Sequence, residues 1–201
     1  MMKHFRLAPA ILAFICFTIT SPASRAESPS VRNCTWCHGG RAQGYSPAPR
    51  LAGQRAEYIW HQLIEFNRHT RDNPFSKWYM WPAAANLSPK TVHDLATYFS
   101  MLPAQSANDG EIALIAQGKT IYQQGMPDSN VVACVVCHGP AAEGVREIPR
   151  LGGLEYAYLK RRLEQWGQGY AVAAGPPMPH IAGNLSPRDI AAIASYLSFL
   201  E

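Results

Sequence analysis

The chain has 201 residues, 47% of them hydrophobic and 16% charged, with a formal charge of +4. So low a charge, with no basic run interleaved with aromatics, argues against a nucleic-acid binder.

The first 26 residues read as an export signal. Lys3 and Arg6 form a short positive start, Leu7 to Thr20 an apolar stretch, and Ser24-Arg25-Ala26 a small-residue cleavage site. The apolar stretch, about 14 residues, is short for a bilayer span. Cleavage there predicts a mature periplasmic chain from Glu27; a retained N-terminal anchor stays open as the alternative. Cys16 leaves with the signal, and Ile15 stands before it where a lipoprotein site needs a small residue. Lys3, Arg6 and Arg25 leave too, with no acid, so the formal charge falls from +4 to +1.

The mature chain then opens on Cys34-Thr35-Trp36-Cys37-His38, which recurs one hundred residues later as Cys134-Val135-Val136-Cys137-His138. Cys-x-x-Cys-His is the attachment signature of c-type haem. Two thiols three residues apart can each bond one vinyl group of a porphyrin, and the adjoining histidine can take an axial position on the iron. The alternatives are zinc ligation and redox dithiols. Neither needs a histidine after each second cysteine, nor a methionine downstream in both copies. The reading is two covalently bound haem c groups, held by Cys34 and Cys37 and by Cys134 and Cys137, with His38 and His138 as axial ligands.

The repeat extends well beyond the motif. Pro49-Arg50-Leu51 matches Pro149-Arg150-Leu151, and Tyr58, Ile59, Leu63 and Phe66 match Tyr158, Leu159, Leu163 and Trp166. After a two-residue deletion, Met80 matches Met178, and Asn86-Leu87-Ser88-Pro89 matches Asn184-Leu185-Ser186-Pro187. Residues 27–104 and 110–201 are expected to form the two domains, with 105–109 as the linker.

The periodicity is helical throughout. Middle helices are predicted from about Gln54 to Arg68 and from Glu155 to Trp166. Ser88-Pro89 and Ser186-Pro187 are helix starts, a capping serine followed by a proline where a missing N–H costs nothing. Behind them, Val92, Leu95, Ala96, Phe99 and Leu102, and Ile190, Ile193, Ala194, Leu197 and Leu200, follow the spacing of an amphipathic helix. No convincing alternating strand pattern appears, so the fold class is all-α.

Before Cys134 there is room for a helix over about Gly110 to Gln124, whereas only Glu27 to Asn33 precede Cys34. The first domain is therefore expected to lack most of the helix that should cross its last one. An exposed apolar patch there would be a docking surface.

Met80 and Met178 are the candidate distal ligands, each in a proline-rich loop; His180 is the rival on the second iron. Met101 and Met126, without repeat partners, read as packing residues, and His61, His69 and His93 as surface residues. A His/Met pair stabilises Fe(II) and closes both faces of the iron, which suits an electron carrier. The carbonyls of Pro49 and Pro149 are expected to orient the axial histidines, and Arg50 and Arg150 to pair with haem propionates. Lys160-Arg161-Arg162 reads as a solvated helix face, with steering of an acidic partner as the alternative.

On these residues, with Leu51-Ala52-Gly53-Gln54 and Gln62-Leu63, the chain resembles the two-haem class I cytochromes c of the c-four type. The resemblance implies two tandem helical cytochrome domains and periplasmic electron transfer with redox partners: terminal oxidases, reductases or dehydrogenases. No nucleic acid is implied, and peripheral membrane association is left open. Two departures stand out: the shortened first domain, and Gly153-Leu154 where the first copy has Gly53-Gln54. With the aromatic cluster Trp78, Tyr79 and Trp81 around Met80, they keep a second reading alive, a haem-bearing acceptor subunit of a dehydrogenase. A dihaem redox enzyme is disfavoured, because the chain is short and no spare cysteine remains.

Overall fold

The computed structural model describes residue 2, residues 28–170 and residues 177–201. The export signal read from residues 1–26 lies, apart from Met2, outside the described residues. Among the described residues the regular structure is helical, with isolated bridges such as Tyr45 to Ala48 and Val145 to Ile148 in place of strands. No helix among them is long and apolar enough to cross a membrane.

The first repeat contains α1 (Pro29–His38), α2 (Ala56–Asn67), a wide π-helical turn (Ser76–Met80), α3 (Trp81–Ala84) and α4 (Pro89–Ser100). The second contains α5 (Ile115–Gln124), α6 (Val135–His138), α7 (Tyr156–Gly167), α8 (Met178–Gly183) and α9 (Pro187–Ser198). The serine caps of the last helices are in place. Ser88 Oγ accepts from Thr91 N at 3.1 Å, and Ser186 and Asp189 close a reciprocal capping box.

Each repeat has its own apolar cluster. Ile59, Leu63, Val92, Leu95, Ala96 and Phe99 centre the first; Tyr122, Leu159, Leu163, Ile193 and Leu197 centre the second. The spacing expected from the sequence puts these residues on the inner faces of α2 with α4, and of α7 with α9.

The two copies differ at their front ends, and the difference can be followed along one helix face. In the second repeat α5 crosses α9 so closely that a Cβ on Gly118 would lie 1.9 Å from the Ala192 carbonyl oxygen. Ala192 and Ser195, under the crossing, are fully buried. Tyr122 on α5 packs its ring 5.6 Å from that of Tyr196 and donates to Gly139 O at 2.6 Å.

Among the described residues the first repeat has no such helix. Its equivalent of Tyr196 is Tyr98, beside a cavity of about 300 Å³ that Thr35, Gly40, Arg41 and Leu102 also line. The equivalents of Ala192 and Ser195 are Asp94 and Thr97, both exposed. The face that α4 presents there is therefore not an apolar patch. Apart from Met101, 80% exposed just past its end, that face is polar, with Lys90 and Asp94 paired at 2.6 Å.

One helix was not anticipated. Ser28 and Pro29 repeat the serine–proline start of the last helices, Ser28 Oγ accepting from Val31 N at 3.3 Å. α1 therefore runs unbroken through Cys34 to His38, whereas α6 in the second copy spans four residues.

Gly118→Ala is expected to lower the stability of the second repeat by about 1–3 kcal/mol, because the added methyl must push α5 off α9. Thermal unfolding followed by far-UV circular dichroism measures it.

Candidate functional site

A helix places residues i, i+3 and i+4 on one face, so Cys34, Cys37 and His38 share one side of α1. α6 does the same for the second copy, with His138 N donating to Cys134 O at 2.9 Å. Cys37 and Cys137 are exposed, and Cys34 and Cys134 half-buried. Burial, with the neighbouring Cys37 adding to it, pushes the Cys34 thiol up to about 11; Cys134 is likewise raised to about 11, mainly by burial. A redox dithiol needs the opposite shift. Nor, among the described residues, do three or more His, Cys, Asp or Glu side chains gather where they could hold a metal ion. The zinc and dithiol alternatives thus find no support in the geometry.

Both histidines are 6% exposed. After each, the chain folds back through the same loop: Gly44 N donates to His38 O at 2.8 Å, and Gly144 N to His138 O at 2.8 Å. The loop brings a proline carbonyl onto each ring. His38 Nδ1 donates to Pro49 O at 2.6 Å, and His138 Nδ1 to Pro149 O at 3.0 Å. Because a carbonyl only accepts, each Nδ1 carries the proton and each Nε2 keeps its lone pair. Burial holds both imidazoles below their ordinary pKa, against the smaller opposing effect of the proline carbonyls. They are neutral rings, fixed in tautomer and direction, as metal ligation requires.

Met80 closes the π-helical turn of the first repeat and packs on its cluster. Met178 opens α8 and packs on the second cluster. His180 is exposed. His69, also exposed, stacks on Trp81 at 4.0 Å.

Arg50 and Arg150 follow the two prolines, and both are tied into the seam between the repeats. Arg50 Nε donates to Gly153 O at 3.2 Å, and Arg150 Nε to Gly152 O at 3.0 Å in its own loop. The Arg50 N–H donates to Glu155 Oε2 at 3.2 Å. Gln54 grips Arg150 twice, accepting from its N at 2.7 Å and donating to its O at 2.9 Å.

Further along the seam, the basic run is not the solvated face expected of it. Arg162 is 7% exposed, with its guanidinium 4.4 Å from the Trp166 ring. Arg161 reaches into the first repeat, stacking 4.4 Å over Phe75 and donating to Pro47 O at 3.0 Å. α7 lies against the other repeat, so residues that follow one another along it cannot all face water.

Arg71 comes from the first repeat and is 8% exposed. It donates to the Gln62 side chain and to Tyr158 Oη, the latter at 3.4 Å. The Tyr58 and Tyr158 hydroxyls are hydrogen-bonded to each other. Burial alone would raise Tyr158, but Arg71 and Arg162 outweigh it and hold the phenol below its usual range. Arg162 is itself lowered to about 10, by burial first and by Arg71 second. Neither Arg71 nor Arg162 has a carboxylate within ion-pair distance among the described residues, and Arg71 Nε is buried without a partner. Two buried cations side by side call for anions.

Sequence reasoning passed over Gln54, Arg71, Glu155 and Arg162 as site residues. The signals were mismatches between the copies: Gln54 stands opposite Leu154, Arg55 opposite Glu155, and Gln62 opposite Arg162.

A cytochrome c family model matches residues 115–201. A cytochrome c4 of Thiocapsa roseopersicina is 36% identical over 176 residues, covering 84% of this chain and 87% of that one. A solved cytochrome c4 structure from Acidithiobacillus ferrooxidans matches with a TM-score of 0.80 at 33% identity, over 84% of this chain and 99% of that one. The chain belongs to the cytochrome c4 family. As a cytochrome c4 relative it is an electron-transfer protein rather than an enzyme, carries covalently bound haem c and works with redox protein partners. It is also 35% identical, over 179 residues, to a thiosulfate dehydrogenase electron acceptor of Stutzerimonas stutzeri (strain A1501), covering 85% of this chain and 80% of that one.

Gln54→Ala strips the Arg150 peptide groups of both partners at the seam. It is expected to cost about 2–3 kcal/mol and to separate the unfolding of the two repeats. Urea denaturation read at a probe in each repeat checks this.

Proposed function

We propose that this chain carries single electrons in the periplasm between redox enzymes, through two haem c groups, one in each repeat. The export signal at residues 1–26 is cleaved, 27–104 and 110–201 are the two haem-bearing units, and 105–109 joins them. The observation that carries the reading is the duplicated arrangement of two thiols and a tautomer-fixed, buried imidazole on one helix face.

Cys34 with Cys37, and Cys134 with Cys137, hold the two porphyrins as thioethers. His38 and His138 present Nε2 to the irons, and Pro49 and Pro149 keep those rings from turning. Met80 and Met178 would supply a soft thioether sulfur as the second ligand, which would leave no position for oxygen or peroxide. The haem supplies a metal that changes by one electron without breaking a bond. Arg50 and Arg150 would pair with propionates, and the buried Arg71 and Arg162 would supply the remaining positive charge. The buried Arg71 Nε without a partner supports that fit.

One observation favours a more specific role, as the electron-accepting subunit of a periplasmic dehydrogenase. Trp36, Trp78 and Tyr79 are 87%, 67% and 61% exposed, near the attachment motif and the distal methionine of the first repeat. The second repeat has Val136 opposite Trp36 and Pro177 opposite Tyr79. Exposed aromatics are typical anchors of protein interfaces, and they are concentrated on the first copy.

Purified mature protein is expected to keep its colour through acid-acetone extraction and to give a pyridine haemochrome with two haems per chain. Met178→Ala is expected to open one iron, so that the reduced protein binds carbon monoxide at one haem and loses half of its Met–Fe(III) charge-transfer band. Wild-type protein that binds carbon monoxide rapidly at both haems would refute the closed-iron reading.

A further inference from the structure

One hydrogen-bonded chain is built twice in this molecule and ends differently in the two copies. In the first repeat His38 Nδ1 donates to Pro49 O at 2.6 Å. The N–H of that same peptide unit belongs to Arg50 and donates to Glu155 Oε2, from the other repeat, at 3.2 Å. In the second repeat His138 Nδ1 donates to Pro149 O at 3.0 Å, and the N–H of that unit, on Arg150, donates to Gln54 Oε1 at 2.7 Å. The terminal acceptor is a carboxylate in one copy and a neutral amide in the other.

A peptide unit is a resonance-delocalised plane. Negative charge drawn up to its N–H shifts electron density onto its oxygen, and hydrogen bonds in series polarise one another in this way. The carbonyl that holds His38 is therefore the stronger acceptor, in keeping with the shorter of the two histidine contacts. A stronger acceptor gives the imidazole more anionic character, which favours Fe(III) over Fe(II) at an iron it ligates.

The place is made for Glu155. Its carboxyl is the side chain of a residue 4% exposed, and Oε1 is buried without a hydrogen-bond partner. Gly44, at φ +76°, gives it room, since a Cβ there would lie 2.1 Å from Glu155 Oε1 and 2.3 Å from Arg50 N. The charged groups that face Glu155 are Arg50 and Asp109. Arg50 and Arg150 occupy equivalent positions, so a guanidinium is common to both copies, and Glu143 acts on Arg150 in the second; what differs at the peptide N–H is its acceptor, a carboxylate in the first copy and an amide in the second.

We propose that Glu155 is a positioning residue for the first iron site, acting across the seam through the Pro49–Arg50 peptide to hold His38 and lower the reduction potential of the first haem. Gln54 gives the second haem the neutral version of the same support. The two halves of a duplicated chain are thereby made unequal by a residue that each takes from the other. The inference rests on the assignment of His38 and His138 as axial ligands.

Spectroelectrochemical titration of the haem-loaded chain tests it, with the first haem identified as the one whose potential falls in Met80→His. Glu155→Gln is expected to raise the first potential, moving the reduced-to-oxidised ratio at the wild-type midpoint by roughly threefold to tenfold and leaving the second haem unmoved. Gln54→Glu, the mirror change, is expected to lower the second potential by a comparable ratio. Burial raises the carboxyl pKa of Glu155, against the pull of the Arg50 N–H and guanidinium. The first potential should therefore rise as pH falls and the carboxylate is protonated, a dependence that Glu155→Gln removes.

Variants that melt earlier but leave both potentials where they were would show Glu155 to be an interface residue only, and would overturn the proposal. If Glu155→Gln does not fold, an unmoved second potential in Gln54→Glu is sufficient to overturn it. A wild-type chain without haem, or with irons lacking histidine ligation by spectroscopy, would defeat the carrier reading itself and the proposal with it.

Discussion

The contact on which the rest depends is the hydrogen bond from a buried imidazole to a proline carbonyl, made once in each repeat. It decides the tautomer of His38 and His138, and so which nitrogen is left for a metal. It also fixes the loop between the histidine and the next helix, because the carbonyl must arrive from eleven residues downstream. That loop then delivers Arg50 and Arg150 to the boundary between the repeats. The ligand geometry and the packing of the two halves are consequences of the same turn of chain.

The boundary is unusually polar for a surface that joins two small cores. Buried guanidinium groups, a hydrogen-bonded tyrosine pair, a side-chain amide and a carboxylate meet along it, and backbone groups at Arg50 and Arg150 are satisfied only from the opposite repeat. Such an interface is costly unless every group finds a partner. Where Arg71 and Arg162 come together, the two tyrosines and Glu65 offset part of their charge, and Arg71 Nε is left buried without a partner.

How much of this could be read from the sequence depended on the range of each interaction. Local signals were plain. Cys-x-x-Cys-His, and serine–proline starts at Ser88 and Ser186, specify geometry within a few residues. The start at Ser28-Pro29 obeys the same grammar and was missed because so little chain precedes the motif. The contact between His38 and Pro49 could be anticipated, since both copies keep the same separation. The seam could not be, because it joins residues about a hundred positions apart, and a single sequence records such pairs only as mismatches. Arg162 opposite Gln62 is one of these: periodicity alone put Arg162 in solvent, where the neighbouring repeat in fact covers it. Leu154 opposite Gln54 is another, the second copy supplying its grip on the seam from Glu155 instead.

The polar face of α4 bears on what could pack across it. Asp94 and Thr97 stand where Ala192 and Ser195 lie sealed beneath a crossing helix in the other copy. A helix laid across α4 as α5 is laid across α9 would trap the Asp94 carboxylate in a dry crevice. The asymmetry between the copies is thus written into α4 itself, where one acidic side chain stands in place of an alanine.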